Sequence, residues 1–570
     1  MKKILFWVTS AVLILFSLLT VIYARHIRSG DSALLKNALV YFQFKNMDSF
    51  LTELKEIDLY QIAVKENFFE KTLEKDQKDE GLKKVFKTLT FEDVSPLLKE
   101  QAEIGLYTED KKTEIIFSSI IEEKKQFETI LDKINSGTSS KEVQENLDGI
   151  NIFRSNLPDL KKTLFFYYEE NRIVGSTSLS LLKPTVSVVK GNKELSLSAD
   201  SNFKNCYKKI ATKDKAYIGY FDLVRISEMI HEMKSVSDKD KLFMGIGKYL
   251  PLKTLILGGQ MVPEGLEMEY FISPTIDKSK VWYDLLEVAP GKLSTMSYLP
   301  QNMLLFKAAN QNSLKFAWDY FNEEIEDPDS ASEEKNKPRT KIKEKFKPYE
   351  DLAGINVESE IIDILGSELV FGITSARPTE LFQIPQMILI LNIKDQKRCE
   401  ELMKKVELYF EKKYKDKNGK FETSNYGNYA LRKFNVSIFA PVYVIDGDFL
   451  LVGTSLQVLK DLLDTKSGSQ PGFLDSPEMV KLSTEWIPSK LNALSYFNIG
   501  KSAETASKLI AIFGSFLKDD QKTAVQNSKN TLKSLESLGV IMNYQIFHDS
   551  GISGKWIFST KMISKSTPEL

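Results

Sequence analysis

A few residues of this 570-residue chain stand in patterns that could support chemistry, and each pattern is incomplete. The tripeptide Gly500-Lys501-Ser502 follows an apolar segment and resembles the end of a phosphate-binding loop. Such a loop requires a glycine five positions earlier, where this chain has Ser495. Without that glycine the ring of backbone N–H groups that holds a phosphate is incomplete. The sequence therefore favours a plain strand-to-helix turn.

Metal ligands and nucleophiles are equally sparse. The histidines His26, His231 and His548 are scattered, without the spacing of zinc ligands. Only Cys206 and Cys399 could form a disulfide, and they stand at different places in the pattern described below. The chain also lacks a Gly-x-Ser-x-Gly motif that would present a serine nucleophile. We therefore expect no metal site, no cofactor and no catalytic residue.

The charge balance argues against a nucleic-acid partner. Lys and Arg number 77, and Asp and Glu number 78. The body of the protein therefore carries no net positive field that would attract a phosphate backbone. Aromatic residues make up 11% of the chain, which is enough to build hydrophobic cores.

The N-terminal segment predicts a membrane anchor. Residues 4–24 contain no charge, and basic residues flank them on both sides. At 1.5 Å per residue such a helix spans about 30 Å, the thickness of a bilayer core. A cleaved signal peptide has a shorter apolar core and small residues at its cleavage site, whereas this segment ends Ile22-Tyr23-Ala24. We expect an uncleaved signal-anchor in residues 1–30, with residues 31–570 outside the cytoplasm.

The remainder of the chain repeats its order of elements. The segment at 174–183 begins Val-Gly-Ser, and the segment at 452–460 begins Val-Gly-Thr. Each follows a predicted hairpin and precedes a predicted helix, and similar strands lie before and after in both halves. Because the period is far too long for a solenoid repeat, two tandem copies of one domain are the better interpretation.

Turn residues support an α+β fold. Asp446-Gly447 separates two apolar strands and favours the positive φ angles of a tight hairpin. We interpret Gly175 and Gly453 as recurring structural turns that exclude a Cβ atom. Hairpins mixed with helices predict a mainly antiparallel sheet with helices packed on one face.

The predicted domain boundaries follow from this repeat. The first copy covers 31–289 and the second 290–560, followed by a tail at 561–570. Acidic residues of 323–334 precede basic residues of 335–347, so residues 323–350 are interpreted as a mobile charged insertion in the second copy.

Two polar residues lie at matching strand ends in the two copies, Asp222 and Asn498. They are weak candidates for a polar pair beside a groove. Asp and Asn also cap helices, and a predicted helix follows each of them, which favours capping.

The sequence resembles a bacterial family known as domain of unknown function 3352. The resemblance rests on Leu299-Pro300 before a strand, and on the segments at 174–176 and 452–454 that end a hairpin before a helix. It would span most of 31–560, although the first copy lacks the Leu-Pro opening. The resemblance implies an exported or membrane-anchored protein and supplies no catalytic residue.

These observations favour a non-enzymatic binding or scaffold protein of the bacterial envelope, anchored through residues 4–24. Two similar domains can present related surfaces, which favours recognition of an envelope protein over catalysis. One alternative is a carrier or chaperone for a hydrophobic ligand, such as a lipid or an unfolded exported protein. Another is a hydrolase whose site has no recognisable motif.

Overall fold

The chain folds into two compact units in a computed structural model. Unit 1 comprises Met1–Ile276 and Ser550–Leu570, and unit 2 comprises Asp277–Asp549. Apart from isolated residues between them, the ranges that the structure describes are 34–45, 100–110, 112–134, 142–157, 162–210, 215–232, 252–274, 288–311, 342–375, 385–436, 441–476, 486–513 and 532–559. The predicted anchor, residues 323–341 of the charged insertion and the tail at 561–570 lie outside the described residues.

Unit 1 is built on an antiparallel sheet. Its strands are β1 Val40–Lys45, β2 Gln101–Glu109, β3 Lys112–Ile120, β4 Glu142–Leu147, β5 Ile150–Leu157, β6 Lys162–Glu169, β7 Arg172–Ser176, β8 Tyr217–Asp222, β9 Leu252–Val262, β10 Gly265–Pro274 and β20 Gly551–Ser559. They pair in the order β4-β5-β6-β7-β3-β2-β1-β8-β9-β10-β20. The last strand of the chain is therefore part of the first unit's sheet.

Unit 2 contains a second antiparallel set of strands. These are β11 Met303–Asn310, β12 Leu365–Thr374, β13 Gln386–Ile393, β14 Phe421–Tyr426, β15 Tyr429–Phe434, β16 Val442–Asp446, β17 Phe449–Gly453, β18 Ala493–Asn498 and β19 Val540–His548. Their order is β14-β15-β16-β17-β13-β12-β11-β18-β19. These nine strands correspond one by one to the first nine strands in the order of unit 1, β4-β5-β6-β7-β3-β2-β1-β8-β9.

One row of paired residues fixes the register in each unit. In unit 1, Tyr41 pairs with Gly105 on one side and with Tyr220 on the other. In unit 2, Phe306 pairs with Gly372 and with Tyr496 in the same way. We call the sheet face that carries Tyr41 or Phe306 the inner face of its unit. The opposite face, which carries the alternate residues of each strand, is the outer face.

Helices cover both faces of the sheets, which corrects the expectation of helices on one face only. Unit 1 contains α1 Lys124–Ile134, α2 Leu179–Val189, α3 Ser201–Tyr207 and α4 Leu223–Glu232. Leu182 of α2 and Phe203 of α3 pack with Tyr41 on the inner face. Phe127 of α1 packs with Phe166 on the outer face. The strands therefore carry apolar side chains on both sides, as sheets covered on both faces do.

Unit 2 contains α5 Ile342–Ala353, α6 Gln396–Lys413, α7 Leu456–Ser467 and α8 Ile499–Phe513. On its inner face, Phe473 packs edge-on against Phe306, with 4.8 Å between ring centroids. On its outer face, Cys399 of α6 packs with Tyr443 and Leu450 at the hairpin end of the sheet. Residues 342–350, expected to be part of a mobile insertion, lie in α5.

Buried ion pairs hold β20 in the sheet of unit 1. The ammonium of Lys215, which is 2% exposed, lies 3.0 Å from Glu267 on β10. Lys555 of β20 lies 3.1 Å from the other oxygen of that carboxylate. Burial disfavours ionisation of Glu267, but the two ammonium groups outweigh it and hold its pKa below the ordinary value. Because Glu267 and Lys215 are buried, removal of either would leave an uncompensated buried charge.

The compact units divide the chain after Ile276, and β20 lies in unit 1. The boundary between the proposed copies at 289/290, with β20 in the second copy, stays a prediction. Within the part of the chain that the structure describes, every helix is too short or too polar to cross a bilayer.

Candidate functional site

A row of apolar side chains crosses the outer face of unit 2. Its members share one register position on five neighbouring strands: Met387, Ile373, Leu305, Phe497 and Ile541. Met387 is 46% exposed and Phe497 is 37% exposed, while the other members are half-buried. In the adjacent row, Phe371 is 40% exposed. We call these six residues the outer strip.

The exposure of these residues is unusual for their position. Strand spacing of about 4.8 Å makes a row over five strands about 19 Å long, so the exposed members lie on one continuous surface. Single apolar residues on a protein surface need no explanation, whereas a contiguous group typically marks a binding surface.

The corresponding row of unit 1 is covered. It consists of Ile115, Leu106, Val40, Phe221 and Leu255. Phe221 is 8% exposed, against 37% for Phe497 at the same register position. Phe50, Leu54 and Ile57 pack on the middle of this row, together with residues of α4. Only Ile115, at the end of the row, is clearly exposed. The same position in the sheet is therefore closed in unit 1 and partly open in unit 2.

The segment that follows the first strand contributes to this difference. In unit 1, Phe50 and Leu54 lie just after β1 and join the outer-face core. In unit 2, Trp318 follows β11 and contacts the ring of Phe346 on α5, with 6.0 Å between centroids. This tryptophan packs on a helix that has no described counterpart in unit 1.

A second apolar stripe lies on α5. Phe346, Tyr349 and Leu352 are three residues apart, which places them along one side of the helix. Tyr349 and Leu352 are both at least 60% exposed. Glu350, in contrast, is buried and accepts a hydrogen bond from the backbone N–H of Val357 at 2.7 Å. That bond fixes the start of the following helical segment.

Asp222 and Asn498 occupy matching positions in the register, because each lies two residues after the paired tyrosine of its inner row. Asp222 accepts a hydrogen bond from the backbone N–H of Arg225 at 3.0 Å. Asn498 accepts one from the N–H of Lys501 at 2.8 Å. Both side chains therefore cap the helices α4 and α8, each within its own unit.

The same cap accounts for the lysine of Gly500-Lys501-Ser502. Its backbone N–H is used by Asn498, so it is not available for a phosphate. A Cβ atom at Gly500 would lie 2.5 Å from the carbonyl oxygen of Leu538. The glycine thus permits close approach of the segment before β19, and the three residues form the first turn of α8.

Gly175 and Gly453 lie inside strands, not in turns, and they are not equivalent. In the row that contains Tyr41, Ile116 pairs with Ser176, whereas in the row that contains Phe306, Ile388 pairs with Gly453. The register equivalent of Gly453 is therefore Ser176, one residue after Gly175. A Cβ atom at Gly175 would overlap the ring of Phe117, and one at Gly453 would overlap Val458. Both glycines save space for a neighbouring side chain.

Asp446 and Gly447 form the hairpin between β16 and β17, where Gly447 has a φ of 56°. The Asp446 carboxylate accepts hydrogen bonds from Tyr298 at 2.8 Å and from Tyr429 at 3.4 Å. Burial is the main cause of a raised pKa for Tyr298, and the Asp446 carboxylate adds to it. The hydrogen bond between Tyr298 and Asp446 therefore anchors the turn to the segment before β11.

A charged cluster joins α6 to the hairpin strands of unit 2. Arg432 donates two hydrogen bonds to the Glu407 carboxylate, at 2.7 and 2.6 Å, and Tyr443 donates one at 2.6 Å. Burial opposes ionisation of Glu407, but these bonds outweigh it and hold its pKa below the ordinary value. Such a carboxylate stays ionised and is unsuited to act as a general acid.

Unit 1 buries a carboxylate on its inner face. Tyr41 donates to Glu103 at 2.8 Å, and the carboxyl-bearing residue is only 1% exposed. Burial and the nearby carboxylate raise the pKa of Tyr41 well above its ordinary value. At the same register positions unit 2 has Phe306 and Val370. The inner faces of the two units therefore differ in polarity as well.

A crevice of about 390 Å³ opens near the end of α7. It is lined by Met296, Ser297, Thr465 and residues 468–475. Asp475 is its titratable group, and its carboxylate accepts a hydrogen bond from the N–H of Gly472 at 2.8 Å. This volume would admit a small molecule, but the Asp475 carboxylate already accepts a hydrogen bond from the backbone.

The described ranges contain no group of three or more His, Cys, Asp or Glu residues placed to hold a metal ion. Cys206 and Cys399 are buried and unpaired with each other, and burial raises the pKa of both thiols. A raised pKa makes a thiol a poor nucleophile.

One family model matches part of the chain. Residues 349–540 match the model described as "Protein of unknown function (DUF3352)", which supports an assignment of this segment to that family. The matched range includes β12 to β18 and most of the outer strip. It is narrower than the range over which the sequence resembles the family.

No curated protein matches the sequence. Among solved structures, crystal form IV of TP0453 matches with 10% identity and a TM-score of 0.24, over 43% of this chain and 80% of that one. Crystal form I matches with 11% identity and a TM-score of 0.23, over 45% and 82%. At such TM-scores these likenesses carry no argument about fold or function.

Proposed function

We propose that this DUF3352 protein acts by binding, as a membrane-anchored scaffold of the bacterial envelope whose unit 2 presents the outer strip to a protein partner. The observation that carries the proposal is the exposure of Phe371, Met387 and Phe497 on one sheet face. Buried aromatic and methionine side chains are the usual anchors at the centre of protein interfaces. A stable partner would remove these side chains from water.

The proposed anchor is the apolar segment at 4–24, with residues 31–570 outside the cytoplasm. The proposal assigns no catalysis. The clusters around Glu407, Glu267 and Glu103 are engaged in hydrogen bonds or ion pairs within their own unit. The depressed pKa values of Glu267 and Glu407 suit stabilisation of the fold better than proton transfer.

We further propose that the two units are tandem copies of one domain. The equal strand order supports this proposal. The register also supports it, because in each unit an aromatic residue of the first strand pairs with a glycine on one side and a tyrosine on the other. Ser178 and Ser455 cap α2 and α7 at equivalent distances from these rows. On this proposal, unit 1 has its outer face closed by its own chain, and unit 2 keeps the face for a partner.

Site-specific photo-cross-linking in the producing cells tests the binding function. A photoreactive phenylalanine analogue replaces Met387 or Phe497 in the full chain, and Val143 serves as the matched control. Val143 is an apolar residue of unit 1 that is 60% exposed on β4. We expect protein adducts from the two strip positions that the control does not give, identified by mass spectrometry.

Two outcomes would contradict the proposal. Absence of adducts at both strip positions, with normal expression and membrane association, would show that the outer strip meets no partner. Adducts of lipid mass at these positions would favour the carrier for a hydrophobic ligand, and native mass spectrometry of the purified chain would then show the same bound mass.

A further inference from the structure

A lysine interrupts the apolar surface of unit 2. Lys307 lies on β11 beside Leu305 of the outer strip, and it pairs in register with Phe371. Its side chain is exposed, and among the described residues no carboxylate forms an ion pair with it. At the same register position unit 1 has Phe42, which is 4% exposed. The described part of this outer face therefore combines apolar anchors with the positive charge of Lys307 at its centre.

Unit 1 shows what fits on such a face. The segment that covers its outer row contributes Phe50, Leu54 and Ile57, at spacings of four and three residues. Phe50 and Leu54 lie on one side of a short helical segment, and Ile57 follows in the bend after it. Since the two sheets share strand order and register, a surface of the same geometry in unit 2 is suited to side chains with the same spacing.

The lysine adds a requirement of charge. An occupant that covers the outer strip removes water from around Lys307, and an ammonium left without a partner there would oppose binding. An acidic side chain on the occupant would satisfy it. The apolar neighbours Leu305 and Phe371 leave the ammonium as the principal charge at the centre of the surface.

We propose that the partner of unit 2 is an amphipathic α-helix that lays apolar residues spaced i, i+4 and i+7 on the outer strip and sets an acidic side chain against Lys307. The inference rests on the proposed binding function and names the chemistry of the partner. A lipid headgroup phosphate could also meet the ammonium, but unit 1 closes the equivalent face with a helical protein segment, which favours the helix.

Designed peptides provide the test. The probe is a fluorescent helical peptide with Phe, Leu and Ile at i, i+4 and i+7 and one Glu on the same side. Its matched control carries Lys instead of Glu. Binding to the full chain in nanodiscs is followed by fluorescence anisotropy, with empty nanodiscs as the blank. We expect the Glu peptide to bind at least about tenfold more tightly than the Lys peptide.

Reversing the charge at Lys307 distinguishes a preference for the acidic peptide from nonspecific hydrophobic binding. In the variant Lys307→Glu the preference between the peptides should invert, and in Lys307→Gln it should disappear. In Phe371→Ser both peptides should bind more weakly. Because both residues are exposed, we expect these variants to fold, and circular dichroism checks this.

Equal binding of the two peptides, or an unchanged preference in Lys307→Glu, would overturn the inference. So would binding of neither peptide while vesicles of anionic lipid bind through Lys307. The proposed function is judged separately, because cross-links from Met387 to a protein would persist even if that protein presented a strand or a loop. Cross-links that fall on an amphipathic helix of the partner would support the inference.

Discussion

Alanine substitution of two phenylalanines at the same register position tests whether the outer face is closed in unit 1 and open in unit 2. Phe221 is the last residue but one of β8 and pairs with Val40 and Leu255. Phe497 is the last residue but one of β18 and pairs with Leu305 and Ile541. Each is followed by a capping residue and a helix. Loss of strand propensity is therefore the same in both variants, and the difference between them reports packing.

The expected magnitudes follow from burial. Phe221 is 8% exposed and lies in a packed cluster, so Phe221→Ala loses both the transfer free energy and the cavity contribution, about 3–5 kcal/mol. Phe497 is 37% exposed, so Phe497→Ala loses roughly two thirds of a full burial energy, about 1–2 kcal/mol. Little cavity is created at that site because the face opens to solvent.

The assay is urea unfolding of the full chain followed by hydrogen exchange and mass spectrometry. Peptides from β8 report unit 1, and peptides from β18 report unit 2, so that each variant is compared with its own unit in the wild type. A cost for Phe497→Ala equal to that for Phe221→Ala would refute the argument. It would mean that the outer strip is packed in solution and is not available to a partner.

Three further outcomes are expected. Tyr41→Phe should cost about 1–3 kcal/mol, because it removes a hydrogen bond from buried Glu103, and adding Glu103→Val should recover part of this in a double-mutant cycle. The carboxylate of Glu267 has a lowered pKa in the folded state. Its stabilising contribution is therefore complete well above pH 4.5 and is lost as the pH falls below that value. In a profile of stability against pH, Glu267→Gln should flatten this acidic part. Gly447→Ala should cost about 1 kcal/mol by urea unfolding because of its positive φ, and Gly447→Asn less.

Local signals in the sequence predict much of the fold. Asp446-Gly447 specifies a hairpin through its own backbone preference, and the structure has that hairpin. The apolar segments at 40–45 and 442–445 form strands of a mainly antiparallel sheet. In each case the residues that cause the element lie within a few positions of it.

Register is a long-range property, and the sequence was misleading there. Matching Val174-Gly175 to Val452-Gly453 aligns the two units by residue type, but the strand pairing gives Ser176 and Gly453 the same register position. The difference follows from pairing with Ile116 and Ile388, which lie far away in the chain. Only the spacing to the helix caps could have revealed it, since Ser178 and Ser455 each lie two residues after the paired position.

The outer strip could be predicted only in part. Segments such as Leu304-Leu305-Phe306 are apolar without alternation, which indicates a sheet covered on both faces. What covers each face is decided by tertiary packing, so the partial exposure of Phe371 and Met387 leaves no local signal. Lys307 is the charged residue in this mainly apolar strand.

A lysine within an exposed apolar surface has a simpler explanation than recognition, because a charge on such a surface also opposes aggregation. The two explanations make different demands. Solubility requires only a charge, so Glu at position 307 would serve as well as Lys307. Recognition requires a positive charge at the place where unit 1 has Phe42, beside the anchors Leu305 and Phe371. The variant Lys307→Glu therefore distinguishes them: the protein should stay soluble and monodisperse while its preference between acidic and basic helices reverses. If solubility were the whole role of this lysine, reversal of its charge would leave helix binding unchanged.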